Sequence, residues 1–353
     1  MLYYLSMHLK SSSSFWNVMH YVSFRAMAAL LTSLLMSFLF GEWFINKSKK
    51  LFRAKAREWT PERHKAKDDM PTMGGAFILM VVLFTTFLWA PIGHYEVYLM
   101  VFCLLGFGAI GGWDDWLKIT KRKGISAQTK FVLQCAVAGC IAILLLWHGF
   151  ATTISFPFFK SINPDIGLLF IFWAMFLMIG TSNAVNLTDG LDGLAIGSLI
   201  PNFATFSLIC YLSGHQIISS YLHIPFTGTS ELAVVGAALV GASIGFLWYN
   251  AYPAQIFMGD IGSLALGGAL ALMAIMAKQE FLLGIAGGLF VVEALSVMMQ
   301  VYSYKYRGKR IFKMAPIHHH FELLGWQESK ITVRFGIISL ILCLLALMTL
   351  KIR

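Results

Sequence analysis

The sequence contains few charged residues. Asp, Glu, Lys and Arg make up 12% of its 353 residues, about half the share found in soluble globular domains. Hydrophobic residues make up 58%, against about 45–50% in soluble domains. This composition excludes a water-soluble globular enzyme, a disordered chain and a coiled coil. It predicts an all-α polytopic membrane protein.

Cysteine is also scarce. The chain has five cysteines, which are too few for a disulfide framework. A cleavable signal peptide is not expected either, because the first apolar run is long and lacks a small-residue cleavage site. All the cysteines lie within apolar runs, so we expect them to be small buried hydrophobic residues. They are Cys103, Cys135, Cys140, Cys210 and Cys343.

Long apolar runs dominate the chain. A helix needs about 20 apolar residues to cross the hydrocarbon core of a bilayer, and ten runs have about this length. They predict ten transmembrane helices in a single membrane domain, residues 1–353. The predicted spans are roughly 22–45, 73–92, 95–113, 131–150, 166–185, 193–212, 231–250, 261–277, 281–302 and 333–352.

The basic residues indicate how these spans are oriented. The loops 46–72, 114–130 and 303–334 hold 21 of the 27 Lys and Arg residues, and ten spans place all three loops on one face. Basic loops stay in the cytoplasm, so both termini are predicted to be periplasmic. The net charge of +10 is therefore explained by the basic loops on the cytoplasmic side, and no nucleic acid partner is expected.

The aspartates follow the same pattern. A transporter would place ionisable groups near the middle of the membrane, on broken helices. Here seven of eight aspartates fall in or beside the cytoplasmic loops, and only Asp165 does not. This distribution predicts an active site at the cytoplasmic membrane surface. The seven are Asp68, Asp69, Asp114, Asp115, Asp189, Asp192 and Asp260.

Asp114 and Asp115 form the first candidate motif, at the inner end of the third predicted span. Two adjacent carboxylates near hydrocarbon repel each other, so one takes up a proton or both face a cation. The alternative is a solvated helix end whose acids pair with nearby basic residues.

A second motif, Asn-Leu-Thr-Asp-Gly-Leu-Asp-Gly at 186–193, joins the fifth and sixth predicted spans. Its glycines permit a tight turn with exposed N–H groups, and its Asn and Asp side chains can bind a polar ligand. Asp192 could instead cap the following helix. The glycosylation sequon within the motif lies on the cytoplasmic side and is therefore discounted.

Two further motifs lie on the same predicted face. Asp260 ends a short Phe-Met-Gly-Asp loop, and three consecutive histidines, 318–320, occupy the last basic loop. A surface cluster or a zinc site could explain the histidines, although zinc favours spaced ligands. Imidazoles in a basic loop also suit hydrogen bonding to phosphate oxygens.

Taken together, these groups suit a phosphorylated substrate. Carboxylates bind hard divalent cations, and Mg²⁺ usually shares its coordination with substrate phosphates. An interfacial position implies that one substrate is a lipid. The residues therefore predict a Mg²⁺-dependent enzyme that acts on phosphate esters at the cytoplasmic membrane surface.

Four strings carry a family resemblance: Pro-Thr-Met-Gly-Gly at 71–75, the 186–194 motif, Phe-Met-Gly-Asp at 257–260 and Pro-Ile-His-His-His-Phe-Glu at 316–322. In this order they resemble the polyprenyl-phosphate sugar-1-phosphate transferase superfamily. Within it, they resemble the phospho-N-acetylmuramoyl-pentapeptide-transferases. The resemblance runs from about residue 20 to the C-terminus, and the histidine string is its most specific part.

The resemblance implies a reaction: UDP-MurNAc-pentapeptide and undecaprenyl phosphate give lipid I and UMP, the first membrane step of peptidoglycan synthesis. It implies Mg²⁺ as cofactor and a homodimer in the bacterial inner membrane.

The resemblance also implies residue roles. Asp260 is a Mg²⁺ ligand, and Asp114 and Asp115 lie at the metal and the lipid phosphate, where one could act as base or covalent nucleophile. One-step and two-step schemes both remain open. Glu293 is either a pocket residue or a helix-packing partner.

The uridine pocket is assigned to Asn186, Asp189, Asp192 and Phe257, whose ring would stack on uracil. Contacts with phosphates or sugar are assigned to Lys67, Lys118, Lys130 and the catalytic His318. Further substrate contacts are assigned to Thr72, Gly190, Leu191, Asn250, His319 and His320.

Three other functions remain open at this stage. A related enzyme would use UDP-N-acetylglucosamine as donor, although its relatives carry a different histidine motif. A transporter or flippase for a phosphorylated lipid would bind the donor without releasing UMP. A scaffold of the division machinery would tolerate Asp→Asn changes at positions 115 and 260.

Overall fold

The computed structural model describes residues 1–9, 14–51, 70–159 and 162–352, and these form a helical bundle. A 3-10 helix covers Ser14–His20. The α-helices are α1 (Leu2–Leu9), α2 (Val22–Leu51), α3 (Gly74–Trp89), α4 (Tyr95–Lys121), α5 (Ala127–Trp147), α6 (Leu169–Thr188), α7 (Leu194–Ser213), α8 (Gln216–Leu222), α9 (Leu232–Asn250), α10 (Gly259–Met276), α11 (Glu280–Ala286), α12 (Gly288–Arg307), α13 (Ile317–Leu323) and α14 (Glu328–Ile352).

The predicted all-α, multi-pass architecture is confirmed, whereas the count of ten spans is not. Within the described ranges, eight helices are long and apolar enough to cross a membrane. A ninth span is possible if α11 and α12 count as one, but they meet at an angle of 80°. Apolar composition does not reveal such a bend. The eight are α2, α4, α5, α6, α7, α9, α10 and α14.

The second predicted span, 73–92, corresponds to α3, which has only 16 residues. It begins after Met73, whose φ of 68° is left-handed, and it ends before the extended residue Ala90. Pro91 follows, and a proline disfavours helical conformation in the residue before it. Both ends of the helix are therefore limited by the backbone rather than by hydropathy.

Helix α4 extends further than its predicted span, 95–113, and ends at Lys121. Asp114 and Asp115 therefore lie within a helix rather than in a linker. The carboxylate of Asp114 and the ammonium of Lys118, one turn later, are 2.9 Å apart. Pairs at this spacing stabilise a helix, so polar residues continue α4 where apolar scanning predicted its end.

The cysteine prediction is confirmed for three of five residues, because Cys103, Cys210 and Cys343 are buried and free. Cys135 is partly buried, and Cys140 is exposed on α5. An apolar run shows that a helix lies in the membrane but does not show which of its faces is packed.

Helices α9 and α10 form the centre of the bundle. Helix α9 packs against α2 and α7, and α10 packs against α4 and α6. Small residues allow the backbones to approach closely. A Cβ added at Gly241 of α9 would lie 2.2 Å from the carbonyl oxygen of Leu30 in α2.

A short segment before α3 fixes the start of α10. The amide of Phe257 donates to the carbonyl of Pro71 at 2.9 Å, and the amide of Gly74 donates to the carbonyl of Phe257 at 2.8 Å. The amide of Gly75 donates to the carbonyl of Met258 at 2.7 Å. These bonds join two of the motifs found in the sequence and hold the loop that carries Asp260.

Candidate functional site

Three carboxylates and two lysines meet at one end of the bundle, and we call these five residues the carboxylate cluster. Nζ of Lys118 lies 2.9 Å from a carboxylate oxygen of Asp114 and 3.0 Å from one of Asp260. It also lies 3.6 Å from Asp115. Nζ of Lys130, from α5, lies 2.5 Å from Asp260 and 3.4 Å from Asp114. Residues predicted separately from the sequence thus share one site.

Helix α4 brings the cluster together by touching the first turn of α10. A Cβ added at Gly111 would lie 2.1 Å from the carbonyl oxygen of Asp260. Only glycine permits this approach. One turn further along α4, Oδ2 of Asp115 accepts a hydrogen bond of 3.1 Å from the amide of Ile261. The first amides of a helix lack partners within it, so Asp115 stabilises the turn that presents Asp260.

This contact predicts that Gly111→Ala strongly lowers activity. The added methyl group would push α10 away from α4, and a misplacement of about 1 Å at a reacting centre can lower the rate about 100-fold. The measurement is the kcat of the purified protein, followed as formation of UMP, the soluble product that the family resemblance implies.

Gly112→Ala is the matched control, since its Cβ would meet only the flexible Ile261 side chain, at 3.3 Å. We expect its kcat to stay within about twofold of wild type, because such a contact relaxes by small shifts. Equal effects of the two substitutions would contradict the argument.

Asn186 and Asp189 extend the cluster from the end of α6. Nδ2 of Asn186 donates to Oδ1 of Asp260 at 3.0 Å and to Oγ of Ser263 at 2.8 Å. The carboxyl group of Asp189 accepts a hydrogen bond from the amide of Gly259. Burial, followed by the charges of Asp260 and Asp115, raises the pKa of Asp189 to about 8. A fourth carboxyl group therefore belongs to this site.

Ser263 was assigned no role from the sequence, although its place three residues after Asp260 puts both on one helix face. Its hydroxyl donates to the carbonyl of Gly259 at 3.0 Å, which leaves an oxygen lone pair for Asn186. The spacing i, i+3 was the available signal.

The cluster suits a hard cation. Among the described residues, no group of three or more His, Cys, Asp or Glu side chains is arranged as a metal-ligand set. The ammonium of Lys118 instead lies within 4 Å of three carboxylates. The three carboxylates of the cluster exceed its two ammonium groups by one negative charge when all are ionised, and Asp189 adds a further carboxyl group beside them. Carboxylate oxygens in this balance match what Mg²⁺ requires.

The histidine motif forms α13 and packs against the 186–193 motif through its first histidine. Nδ1 of His318 lies 3.1 Å from Oε2 of Glu293, and both side chains are fully buried. A Cβ added at Gly190 would lie 2.3 Å from Nε2 of His318. This nitrogen is buried without a hydrogen-bond partner in the part of the chain that the structure describes. The His318–Glu293 pair thus holds Nε2 of His318 against Gly190, the residue next to Asp189.

The other two histidines have partners within their own segment. Nδ1 of His319 lies 3.0 Å from Oε2 of Glu322. Nδ1 of His320 accepts a hydrogen bond of 3.1 Å from the amide of Lys313.

The burial of His318 predicts a pH dependence of stability. Burial lowers its pKa below the ordinary value of 6.5, and the hydrogen bond and charge of Glu293 only partly oppose this. The unfolded chain then binds more protons than the folded chain just below pH 6.5. This residue's contribution to stability is therefore present above the unfolded pKa and is lost as the pH falls below it, by at most about 1.4 kcal/mol per pH unit for one proton.

Denaturant unfolding in detergent between pH 5 and 8 would measure this effect (about 1.5 units on either side of an ordinary histidine pKa). His318→Gln should flatten the profile, whereas His320→Gln should leave its slope unchanged. A profile that keeps its slope in His318→Gln would rule out this residue as the cause.

Asp192 and Asn250, both assigned to ligand contacts, hold a loop. Oδ2 of Asp192 accepts from the amide of Ala254 at 3.0 Å, and its own amide donates to Glu328 at 2.8 Å. Asn250 accepts from the amide of Gly193 at 3.1 Å and donates to the carbonyl of Ile256 at 2.8 Å. Both side chains are buried. They fix the loop that leads to Asp260 rather than lie in the carboxylate cluster.

The remaining assigned residues are more scattered. The side chain of Leu191 is buried in an apolar group with Leu194 and Leu289, so it is a packing residue. The carbonyl of Thr72 accepts from the hydroxyl of Ser48 at 3.3 Å. Phe257 is partly exposed beside the cluster. Lys67 lies outside the described residues.

Comparisons with known proteins show which family this chain resembles. Residues 97–278 match the sequence profile of glycosyl transferase family 4. The chain is 50% identical to a phospho-N-acetylmuramoyl-pentapeptide-transferase of Citrifermentans bemidjiense, with all of both chains covered. It is 49% identical to one of Syntrophus aciditrophicus and 48% identical to one of Solidesulfovibrio magneticus, again with all of each chain covered.

Proposed function

The chain belongs to the phospho-N-acetylmuramoyl-pentapeptide-transferase family, and on this premise we propose that it transfers phospho-MurNAc-pentapeptide from its UDP carrier to undecaprenyl phosphate. The products are lipid I and UMP. The observation that carries the proposal is the carboxylate cluster, in which Lys118 contacts Asp114, Asp115 and Asp260 at one end of the bundle. Such a cluster suits a substrate rich in phosphate and a bound cation.

Mg²⁺ is the cation that this cluster would hold. Asp260, Asp114 and Asp115 would be its ligands, with Asp189 beside them. When bound, Mg²⁺ supplies charge neutralisation for the pyrophosphate of the donor. Lys118 and Lys130, beside these carboxylates, would contact phosphate oxygens of the substrates.

The reaction itself needs little acid–base chemistry from the chain. An oxygen of the lipid phosphate attacks the β-phosphorus of the donor, the P–O bond to UMP breaks, and UMP leaves with the bonding electron pair. The second pKa of a phosphate monoester is about 6, so this nucleophile is largely ionised near pH 7. The cluster then acts mainly by positioning and by electrostatic stabilisation.

The donor's nucleotide would lie beside the cluster. Phe257 offers a partly exposed ring for stacking on uracil, and Asn186 and Asp189 offer amide and carboxyl groups. We assign His318 a phosphate or sugar contact through Nε2, with Glu293 orienting its ring. Asp192 and Asn250 would act indirectly, by holding the loop before Asp260. The homodimer stays a prediction.

The orientation in the membrane is part of the proposal. The three most basic loops share one predicted face with the carboxylate cluster, and the positive-inside rule places that face in the cytoplasm. UDP-linked sugars are soluble donors, so a cytoplasmic site at the inner membrane would give access to donor and lipid together. Both termini would then be periplasmic, a prediction that accessibility labelling of cysteines introduced at the two termini can check.

The proposed function predicts UMP release that requires lipid, donor and metal together. Purified protein in detergent would be mixed with undecaprenyl phosphate, Mg²⁺ and UDP-MurNAc-pentapeptide. We expect UMP release that stops when EDTA removes Mg²⁺ and resumes when Mg²⁺ is added back. UDP-N-acetylglucosamine, offered as the only donor in a parallel reaction, should give no release.

Other outcomes would identify the alternatives. Release with UDP-N-acetylglucosamine alone would indicate the related sugar-phosphate transferase. Tight donor binding without UMP release would favour a transporter. Release that persists in EDTA would refute the assignment of Mg²⁺ while leaving the reaction in place.

A further inference from the structure

The last third of α12 stands out from the bundle. Over residues 301–307, well beyond the 80° bend, exposed side chains cover nearly the whole circumference of the helix, and Ser303 is the exception. Tyr302, Tyr304 and Tyr306 are 59%, 61% and 67% exposed. Four cations follow or lie between these rings. We call this segment the basic arm, which comprises Tyr302, Tyr304, Lys305, Tyr306, Arg307, Lys309 and Arg310.

The chemistry along α12 changes in one direction. Its early exposed side chains are apolar, such as Val292 and Met298; tyrosines come next, and cations come last. Hydrocarbon, interface and headgroups follow one another in this order across a membrane leaflet. Tyrosine is enriched at the interface, and long basic side chains extend from there to the headgroups.

Hydrogen bonds hold the loop that follows α12 against the end of that helix. The side chain of Gln300 donates to the carbonyl of Phe312 at 2.9 Å and accepts from the amides of Ile311 and Phe312 at 3.0 Å each. The hydroxyl of Ser303 donates to the carbonyl of Lys309 at 2.8 Å. The loop that carries Lys309 and Arg310 is therefore folded back onto α12.

No ion pair joins Lys305, Arg307, Lys309 or Arg310 to a carboxylate within the ranges that the structure describes. The lysines of the carboxylate cluster, in contrast, are fully engaged. The positive charge of the arm is therefore available to an external anion.

We propose that the basic arm binds the headgroups of anionic phospholipids in the leaflet at the active-site end of the bundle. Phosphatidylglycerol is a suitable probe, since its headgroup carries one negative charge. The arm leads directly into the loop before α13, so lipid binding would also anchor the segment that carries His318. The proposal goes beyond the transfer reaction, and its test does not depend on catalysis.

The test uses the full-length protein in phosphatidylcholine vesicles that contain a small amount of spin-labelled phospholipid. Electron spin resonance gives the fraction of label immobilised at the protein. We expect phosphatidylglycerol to be preferred over phosphatidylcholine by about fivefold, the effect of one cation beside an anionic surface. High salt should weaken this preference, because it screens exposed charges.

The decisive variant replaces Lys305, Arg307, Lys309 and Arg310 with glutamine and should lose most of the preference. Its matched control exchanges Lys for Arg and Arg for Lys at the same four positions, which retains the charge and should retain the preference. If the fourfold variant does not fold, Lys309→Gln with Arg310→Gln changes only the loop and should lower the preference at least about twofold.

A second comparison assigns the effect to the arm. Lys121→Gln, Arg122→Gln and Lys123→Gln together remove three exposed cations at the end of α4, and they should lower the preference less than the fourfold change. An equal loss in both variants would overturn the assignment to the basic arm. No preference in the wild-type protein, or one unchanged in the fourfold variant, would overturn the proposal.

Discussion

Replacing Asp260 with asparagine is expected to lower kcat for UMP release by at least about 100-fold, the usual effect of removing one preorganised electrostatic group from an active site. Asp260 contacts both lysines of the carboxylate cluster and accepts the hydrogen bond of Asn186. Asparagine preserves the shape but removes the charge that would hold Mg²⁺. Donor binding through the nucleotide should weaken much less than kcat.

The experiment compares kcat, KM for the donor and the dependence on Mg²⁺ concentration in wild type and variant. A higher Mg²⁺ requirement would identify Asp260 as a ligand, whereas an unchanged requirement with low kcat would indicate a positioning role. Asp165→Asn is the matched control, because Asp165 is exposed and bonded to Thr152 in the 151–166 segment. Activity of Asp260→Asn within about twofold of wild type would contradict the site assignment, since removing an essential electrostatic contact has a far larger effect.

Breaking the ion pair between Arg25 and Glu231 is expected to give the largest loss of stability. The guanidinium of Arg25 donates to both carboxylate oxygens of Glu231, at 2.6 and 2.7 Å, and is 1% exposed. The Tyr3 ring lies 4.8 Å from its central carbon. Removing one partner of such a pair leaves a buried charge uncompensated and costs about 3–5 kcal/mol.

Arg25→Met and Glu231→Leu should each lower the free energy of unfolding by this amount, whereas the double variant should recover most of the loss. Apolar side chains of similar volume can replace a buried ion pair with little net effect. Unfolding in mixed detergent micelles, analysed as a double-mutant cycle, measures the coupling. Additive losses in the double variant would show that the two residues do not act as a pair.

Several features of the fold could be predicted from local sequence. The helices follow from long apolar runs, because each must satisfy its own backbone hydrogen bonds within a bilayer. The 80° bend between α11 and α12 could not be predicted, since both sides of the break are apolar. The polar end of α4 was missed for the opposite reason: its helix continues through charged residues that pair with one another.

The fold shows which of the predicted site residues meet, whereas their roles stay predictions. Asp114, Asp115, Asp260, Lys118 and Lys130 were all named from motifs, and the fold brings them into contact. Asp192 and Leu191 lie in the same kind of motif, yet one holds a loop and the other packs in an apolar group. A motif identifies residues that lie close to one site, but it does not show which of them would contact the ligand.

Composition and residue type were therefore sufficient for the membrane class and most of the helices, and they predicted the chemistry of a phosphate and cation site. These properties depend on solvation and on the groups that each side chain carries. Tertiary structure decided which groups meet. The contact of Gly111 with Asp260 and the pairing of Arg25 with Glu231 join residues 149 and 206 positions apart. Such distances are set by helix packing, which no local pattern in one chain encodes.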